Sequence, residues 1–432
     1  MDRRNFIVNV AASALIAPAA KATYSNEETS HNASTQSTSH TFPPEWLSHD
    51  AVWMGWSDYV TRDEGHTKLR LDMLAALTPH VLVKMLVENR SQAQKVGSII
   101  TAAGVNLKRV QFEIQPTVDV WTRDCGPLFL TDGKTKQLAA FSWKNYSFPW
   151  PYTNPSSLAR GDVDQEISER YGLVQRSSDV VAEGGGLDVN SHSLVTYRDA
   201  MMDRNPGKTL DEIESELKRL YGKEQIIWLD RAPITDRVLL GAKIENFFGW
   251  GANGHVDEYV RFISDDTIFV GEVSEKERNS NSLMQLDYEI LSENRRQLEE
   301  ARTPDGKSFK IIPMPVPDAG PFMRRRTLTE QDFQPLANGL DQRLVYRNFT
   351  VGDEIIEVPA VSYLNFLVTN GVVLSAKYGG KGRPEHLNKS DAVAEALLKE
   401  AFPNRKIIQI DPLAANWDGG GMHCLTQQEP SL

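Results

Sequence analysis

The stretch DCGPLFLTDGKTKQLAAFSW, residues 124–143, reads as a polar residue followed at once by a β-hairpin. Asp124 leads, Leu128 to Leu130 run outward, Asp132-Gly133 turns, and Gln137 to Trp143 return. An Asp-Gly pair between β-rich runs is a strong hairpin signal, because the turn that suits the strand twist needs positive φ. The theme recurs three times. Glu183 precedes Leu187 to Val189, a turn near Asn190, and Ser193 to Tyr197. His255 and Asp257 precede Tyr259 to Ile263, a turn at Asp265-Asp266, and Thr267 to Val270. Asn365 precedes Phe366 to Val368, a turn at Asn370-Gly371, and Val372 to Ala376. Spacings vary and no consensus letter recurs, so the repeat is structural. Arranged radially, as propeller blades are, such units turn their leading ends to one centre. Asp124, Glu183, His255, Asp257 and Asn365 then share a cavity, which Cys424 enters from the final segment.

Amphipathic helical runs alternate with these strands: Lys68 to Leu77, Ser91 to Ala103, Val163 to Tyr171, Leu210 to Tyr221, Ser282 to Arg302 and Asp391 to Phe402. Thr209 with Glu212 makes a capping box for the fourth, and Ser390 is placed to cap the last. The alternation predicts an α/β domain from Phe42 to Leu432.

Composition narrows the function. A net charge of -11 lacks the basic face of a nucleic-acid binder, and an excess of carboxylates suits a cationic small substrate or simply a soluble surface. Two cysteines, Cys125 and Cys424, exclude a disulfide framework and a multi-cysteine zinc site. Ahead of the domain, MDRRNFIVNVAASALIAPAAKA (residues 1–22) pairs Arg3 and Arg4 before a short apolar run and a small-residue site at Ala20-Lys21-Ala22. That pattern resembles a twin-arginine signal and predicts export to the periplasm or beyond, the other reading being an uncleaved cytoplasmic tail. The apolar run is too short to span a bilayer, and no other segment reads as membrane-spanning. Residues 23–41 are polar and aperiodic, as in a disordered linker.

The gathered side chains are a thiol, an imidazole, three carboxylates and an amide. Thiol with imidazole indicates nucleophilic catalysis, since a thiolate attacks best where a neighbour lowers its pKa and a base manages protons. Carboxylates around a nucleophile suit a planar cation gripped on both edges, which describes a guanidinium. Glycines 419–421 let backbone approach a ligand beside Cys424. Period-two alternation in an extended chain sets His255 and Asp257 on one face. The same alternation turns His423 away from Cys424, so His423 is not made the base. A His-x-Asp segment also supplies metal ligands in other proteins, but a third ligand at suitable spacing is missing and no metal is expected. Cys125 reads as a small hydrophobe facing away from Asp124 or, alternatively, as an oxidation partner for Cys424.

FPPEWLSHDAVWMGW (residues 42–56), VWTRDCGP (120–127), EGG (183–185), NGHVDE (253–258), YLNFLVTN (363–370) and GGGMHCLTQQ (419–428) together resemble the agmatine deiminase and bacterial-type peptidylarginine deiminase family. The resemblance runs in order from about residue 42 to the end. It implies the pentein fold, five ββαβ-type units about a pseudo-fivefold axis, and no metal or organic cofactor. Carried onto this chain, it makes Cys424 the nucleophile and His255 the general acid and base, with Asp124 and Asp257 on the guanidinium. It places Glu183 and Asn365 on the substrate as well, and Trp121 as a wall of the pocket. The implied partner is a small guanidine such as agmatine, or an arginine peptide, with no nucleic acid and no membrane after signal removal; oligomeric state is left open.

Two departures bear on the substrate. Agmatine deiminases carry GGGNIHC where this chain has GGGMHC, and the Arg-x-Arg pair of the peptidylarginine enzyme is replaced by KNYSFPW, residues 144–150. Arg324-Arg325-Arg326 is a second place where a carboxylate would find cations, or a solvated basic run. An amidinotransferase of the same fold and a non-catalytic guanidine-binding protein are the competing functions.

Overall fold

The run His49–Gly55 (β1) is buried at every position but Asp50. A strand so covered needs neighbours on both edges and helices on its faces. It has them: β2 (Leu82–Val87) lies parallel to β1 and β3 (Val110–Ile114) parallel to β2, with helices Glu64–Leu77 and Arg90–Ala102 between them. The computed structural model describes residues 40–147, 160–237, 243–334 and 342–432, and Thr38–Leu432 cluster as one compact unit.

Each predicted hairpin forms, and each acquires a third strand. Strands β4 (Leu128–Thr131) and β5 (Lys136–Ser142) pair antiparallel, and β6 (Val174–Val181) adds parallel to β5 after helix Val163–Tyr171. Strands β7 (Asp188–Val189) and β8 (Ser193–Tyr197) are joined by β9 (Gln225–Leu229) after helix Leu210–Tyr221. A short strand, β10 (Phe247–Gly249), comes next. The third unit has β11 (Val260–Phe262), β12 (Thr267–Glu272) and, after helix Ser282–Glu300, β13 (Lys310–Pro315). Then β14 (Arg324–Thr327) and β15 (Glu354–Val358) pair with β10 in a separate sheet that the hairpin theme did not foresee. The fourth unit has β16 (Leu367–Thr369), β17 (Val372–Ala376) and, after helix Glu385–Ala401, β18 (Lys406–Ile410). Finally β19 (Thr426–Pro430) pairs antiparallel with β1, so the last strand completes the sheet of the first three.

Local chemistry explains the boundaries. Thr209 and Glu212 form the expected capping box, and Gly222 at φ +66 ends that helix in the left-handed conformation that glycine adopts at little cost. The helix expected from Asp391 starts six residues earlier, at Glu385, directly after Pro384, whose fixed φ suits a helix entrance. Ser390 therefore lies inside it and bonds back to the His386 carbonyl at 3.2 Å. Asp391 is buried and accepts from Tyr363 Oη (2.7 Å) and from the backbone of Tyr378 and Gly379. The expected signal over residues 1–22 and the linker up to residue 39 lie outside the described residues. At the linker's end, Thr41 is already paired with Thr131 through two backbone hydrogen bonds, so order begins before Phe42. Among the described residues no helix is long and apolar enough to cross a membrane.

The joint between first and last strands carries a polar knot. Glu429 on β19 accepts from Trp53 Nε1 (2.9 Å) and Lys84 Nζ (2.8 Å) through one oxygen, and from Lys136 Nζ (2.8 Å) through the other. Replacing Glu429 by alanine strands the buried Lys84 ammonium and an indole N–H, and leaves Lys136 with Asp50 alone. The expected cost is about 3–5 kcal/mol of unfolding free energy, read from denaturant melts; a loss under 1 kcal/mol contradicts that role.

Candidate active site

The leading ends of the hairpins do meet. Thr122–Cys125 is a single helical turn rather than a strand, and it holds Asp124 buried. The Asp124 Oδ1 accepts from the Gly185 backbone N–H and Oδ2 from the Tyr146 hydroxyl, each at 3.0 Å. His255, wholly buried, sits between carboxylates: Nδ1 is 3.7 Å from Asp124 Oδ1 and Nε2 is 3.5 Å from Glu183 Oε2. Neither ring nitrogen makes a hydrogen bond to the described residues, so both are placed to exchange protons with a substrate. A side chain at position 185 is impossible without displacement, since its Cβ would lie 2.6 Å from His255 Nδ1 and 2.9 Å from Asp124 Oδ1. Glu183 is itself buried against Arg204, with Nε to Oε2 at 2.5 Å, and its Oε1 accepts from the Tyr146 N–H at 3.2 Å.

Across the site stands Cys424, 1% exposed. Asn365 fixes it at three points: its amide Nδ2 lies 3.1 Å from Sγ, and its Oδ1 accepts from the backbone N–H of His423 and of Cys424 at 2.9 and 3.2 Å. The glycines explain themselves here. A Cβ on Gly420 would meet the Trp121 ring at 2.8 Å and Sγ at 3.0 Å, and one on Gly421 would meet Asn365 Oδ1 at 2.6 Å. Asp257 Oδ2 and Glu258 Oε1 lie 3.6 and 3.7 Å from Sγ. His255 and Asp257 share the site, but through a 3₁₀ turn over Val256–Glu258 and not through the extended alternation expected. That turn brings Glu258 in as well. His423 lies in a turn and not in an extended run, and its ring is gripped by Asp257 Oδ2 (2.6 Å) and Glu45 Oε1 (2.7 Å).

The electrostatics follow from burial and pairing. Burial opposes a charge on His255, yet Asp124, Glu183 and Asp257 outweigh it and raise its pKa to about 9. Asp124 is pushed up to about 6, chiefly by burial with Asp257 and Glu183 adding, against the pull of His255. Glu183 falls to about 2 in spite of burial, through Arg204 and His255. Burial, helped by Asp257 and Asp236, drives Glu258 well up, which keeps it a neutral carboxylic acid. The Cys424 thiol is pushed well up by burial and then by Asp257, Glu258 and Asp124. The site therefore pairs an un-ionised thiol with an imidazolium and holds an excess of anionic groups.

A cavity of about 60 Å³ opens onto the sulfur, lined by Asp124, Trp121, Tyr146, Trp250, Asp418 and Cys424 with the backbone of 251–252 and 419. Buried nucleophile, protonated base and carboxylates around a small cavity are the equipment for attack on a cationic carbon. The model of the Porphyromonas-type peptidyl-arginine deiminase family matches residues 41–430. The chain belongs to that family. Among its relatives, the agmatine deiminase of Pseudomonas aeruginosa is 25% identical over 401 residues, covering 90% of this chain and 95% of that one. The solved agmatine deiminase of Enterococcus faecalis superposes with a TM-score of 0.68 at 21% identity, over 91% of this chain and 96% of that one. That of C. jejuni with substrate bound gives 0.65 at 18%, over 90% and 96%. These likenesses establish the family's pentein fold, with mixed α/β sheets.

Of the residues the sequence singled out, Cys424, Asp124 and Trp121 line the cavity, and His255 and Asp257 stand directly behind it. Glu183 and Asn365, expected on the substrate, are spent on protein partners: Glu183 on Arg204 and His255, Asn365 on the nucleophile and its backbone. Tyr146, Trp250, Glu258, Asp418, Glu45 and Arg204 were not foreseen. Tyr146 comes from the KNYSFPW segment, in a run where Asn145, Tyr146 and Ser147 all have positive φ (45, 62 and 56). Three consecutive non-glycine residues in that region store strain typical of functional sites, and no glycine betrays it in the sequence. Cys125 lies on the short helix, its Sγ donating to the Trp121 carbonyl at 3.2 Å, and both cysteines are free thiols. Arg324–Arg326 form β14 and are not among the residues that line the cavity; Arg324 stacks on Trp417, and Arg326 is paired to Asp332 and Glu357.

The donors of Asp257, Glu258 and Cys424 lie within 4.8 Å of one another, the one group of metal-type ligands among the described residues. Asp257 Oδ2 is committed to His423 and Glu258 is held protonated, so the set is poorly prepared for a divalent ion. Gly185→Ala is expected to separate Asp124 from His255. Turnover should fall ~10²-fold or more while stability drops by only about 1–3 kcal/mol, the usual penalty of one overpacked methyl. Unchanged steady-state kinetics in the purified variant contradict this placement.

Proposed function

We infer that this protein is a thiol-dependent hydrolase that deiminates a small guanidinium substrate, agmatine foremost, to a ureido product and ammonia. The observation that carries the reading is Cys424, buried and faced by Asp124, Asp257 and Glu258 in a cavity too small for a folded partner. The named relatives, which are agmatine deiminases, support the choice of substrate.

The charges suggest how the thiol is activated. Burial and the carboxylates of Asp257 and Asp124 keep it protonated, and a guanidinium entering between them supplies the missing positive charge, so that the thiol ionises as substrate binds and its proton passes to solvent. Its sulfur adds to the guanidinium carbon. The imidazolium of His255 then protonates the departing nitrogen, ammonia leaves, and an amidino-thioether remains on Cys424. His255, now neutral, takes a proton from water as the oxygen attacks. Breaking the carbon–sulfur bond frees the ureido product and restores the thiol.

The architecture fits the same reading. Five sheets that each join an antiparallel pair to a parallel strand, with leading ends at one cavity, support a five-bladed α/β propeller of pseudo-fivefold symmetry. Arg3 and Arg4 ahead of a short apolar run support export, with residues 42–432 as the catalytic unit.

Two experiments test the reaction. The chain from residue 23 onward should convert agmatine to a ureido product with stoichiometric ammonia. Cys424→Ala should give none, and His255→Ala should lose ~10²–10⁴-fold in kcat while keeping its fold by circular dichroism. Substantial turnover in either variant rejects the assignment; transfer of the amidino group to an added amine in place of hydrolysis would make it a transferase. The pH profile is the second. Asp124 must be ionised to hold the cation, so kcat/KM should fall as pH drops below about 6. His255 must be protonated to serve as acid, so it should fall again as pH rises through about 9. The two limbs belong to the coupled pair, and a profile flat from pH 5 to 10 contradicts the mechanism.

A further inference from the structure

The cavity ends in a second carboxylate that the reaction at Cys424 does not use. Asp418 lines the same space as Asp124 and Cys424, but its side chain is 33% exposed where theirs are almost fully buried. It therefore stands at the mouth, and Asp124 and Cys424 stand at the floor. Its Oδ2 is held by the buried His66 Nε2 at 2.9 Å and accepts from the Tyr59 hydroxyl at 2.8 Å, while Oδ1 receives no bond from the described residues. The loop that bears it is tied down on both sides, by Asn416 Nδ2 to the Gly420 carbonyl (3.0 Å) and by the Asp418 N–H to the Ala415 carbonyl (2.9 Å). Two indoles, Trp121 and Trp250, line the same cavity.

Among the described residues no lysine or arginine lines the cavity, and the nearby Arg324 is spent on the ring of Trp417. A substrate carboxylate thus meets anions and aromatic rings in the cavity lining, whereas a second ammonium finds a fixed carboxylate with a free oxygen. We propose that Asp418 is a specificity-determining residue that receives the ammonium at the far end of an α,ω-guanidino amine, the tryptophans flanking the methylenes. The proposal rests on the deiminase reading above and deepens it, because it selects the decarboxylated amine over free or peptidyl arginine.

The test compares three guanidines on the wild type and on Asp418→Asn: agmatine, butylguanidine, which has the same chain without the ammonium, and arginine. The wild type should favour agmatine over butylguanidine by tenfold or more in kcat/KM. Asp418→Asn should erase most of that preference through KM, because it removes an interaction made equally before and during reaction. A ratio of the two substrates cancels any general loss of folded enzyme, so a purely structural role for Asp418 lowers both rates and leaves the ratio unchanged, which overturns the proposal. A wild type that does not prefer agmatine to butylguanidine, or that prefers arginine, overturns it too. Calorimetric titration of Cys424→Ser with agmatine and butylguanidine reads the same preference without turnover. If that variant binds agmatine more tightly by the same factor while the wild type turns over neither compound, the subsite stands and the deiminase reading falls.

Discussion

The centre of this molecule is governed by the difficulty of burying anions together. Glu45, Asp124, Glu183, Asp257 and Glu258 all lie within it, beside a thiol that would be a sixth anion. An isolated buried carboxylate costs several kcal/mol, so each must be paired, protonated or left waiting for a partner. Glu183 is paired by Arg204, and Glu45 by Arg123, Arg261 and His423. Asp257 is paired by His423, and Glu258 keeps its proton. Asp124 has only the shared charge of His255 and two hydrogen bonds, and its raised pKa records the shortfall. The shortfall lies on the cavity, where a cation can make it good.

The fold delivers this balance by repetition. Each hairpin contributes its polar residue at the point where the chain enters the first strand, so the side chain is set by a strand end and not by a long loop. The counter-charges come from elsewhere: Arg204 from the helix after β8, Arg261 from β11, Glu45 from the segment before β1. Some supports belong to the same unit, as Arg204 does for Glu183, and others to a different one, as Glu183 stands against His255 and Asn365 against Cys424, so the site exists only when the units are packed against one another.

That division decides what could be read from the sequence. The hairpin at 128–142 and the helix Leu210–Tyr221 were legible because their signals are local: a turn dipeptide in one, a capping box and a terminal glycine in the other. Cys424, His255, Asp257 and Asp124 were legible because their motifs are short and chemically distinctive. Tyr146 and Arg204 were not, since their roles depend on residues up to 107 positions away and on backbone conformations that no residue type announces. Glu183 and Asn365 were recognised as important, but their protein partners were not legible, because a sequence shows that a polar group will be buried and not which side chain reaches it. The third strands of the units came only through the resemblance and its ββαβ units, and the extra sheet of β10, β14 and β15 went unread, because these are parallel or remote pairings with no turn to mark them.

The pairing of β19 with β1 sets the order in which the protein can come to life on the ribosome. Among the described strands, the one that follows Cys424 is synthesised last, yet its partner is synthesised first. Until it arrives β1 has one open edge, and no partly made chain holds a thiol next to its carboxylates. A reactive cysteine is thereby withheld from solution until the rest of the molecule is present to bury it.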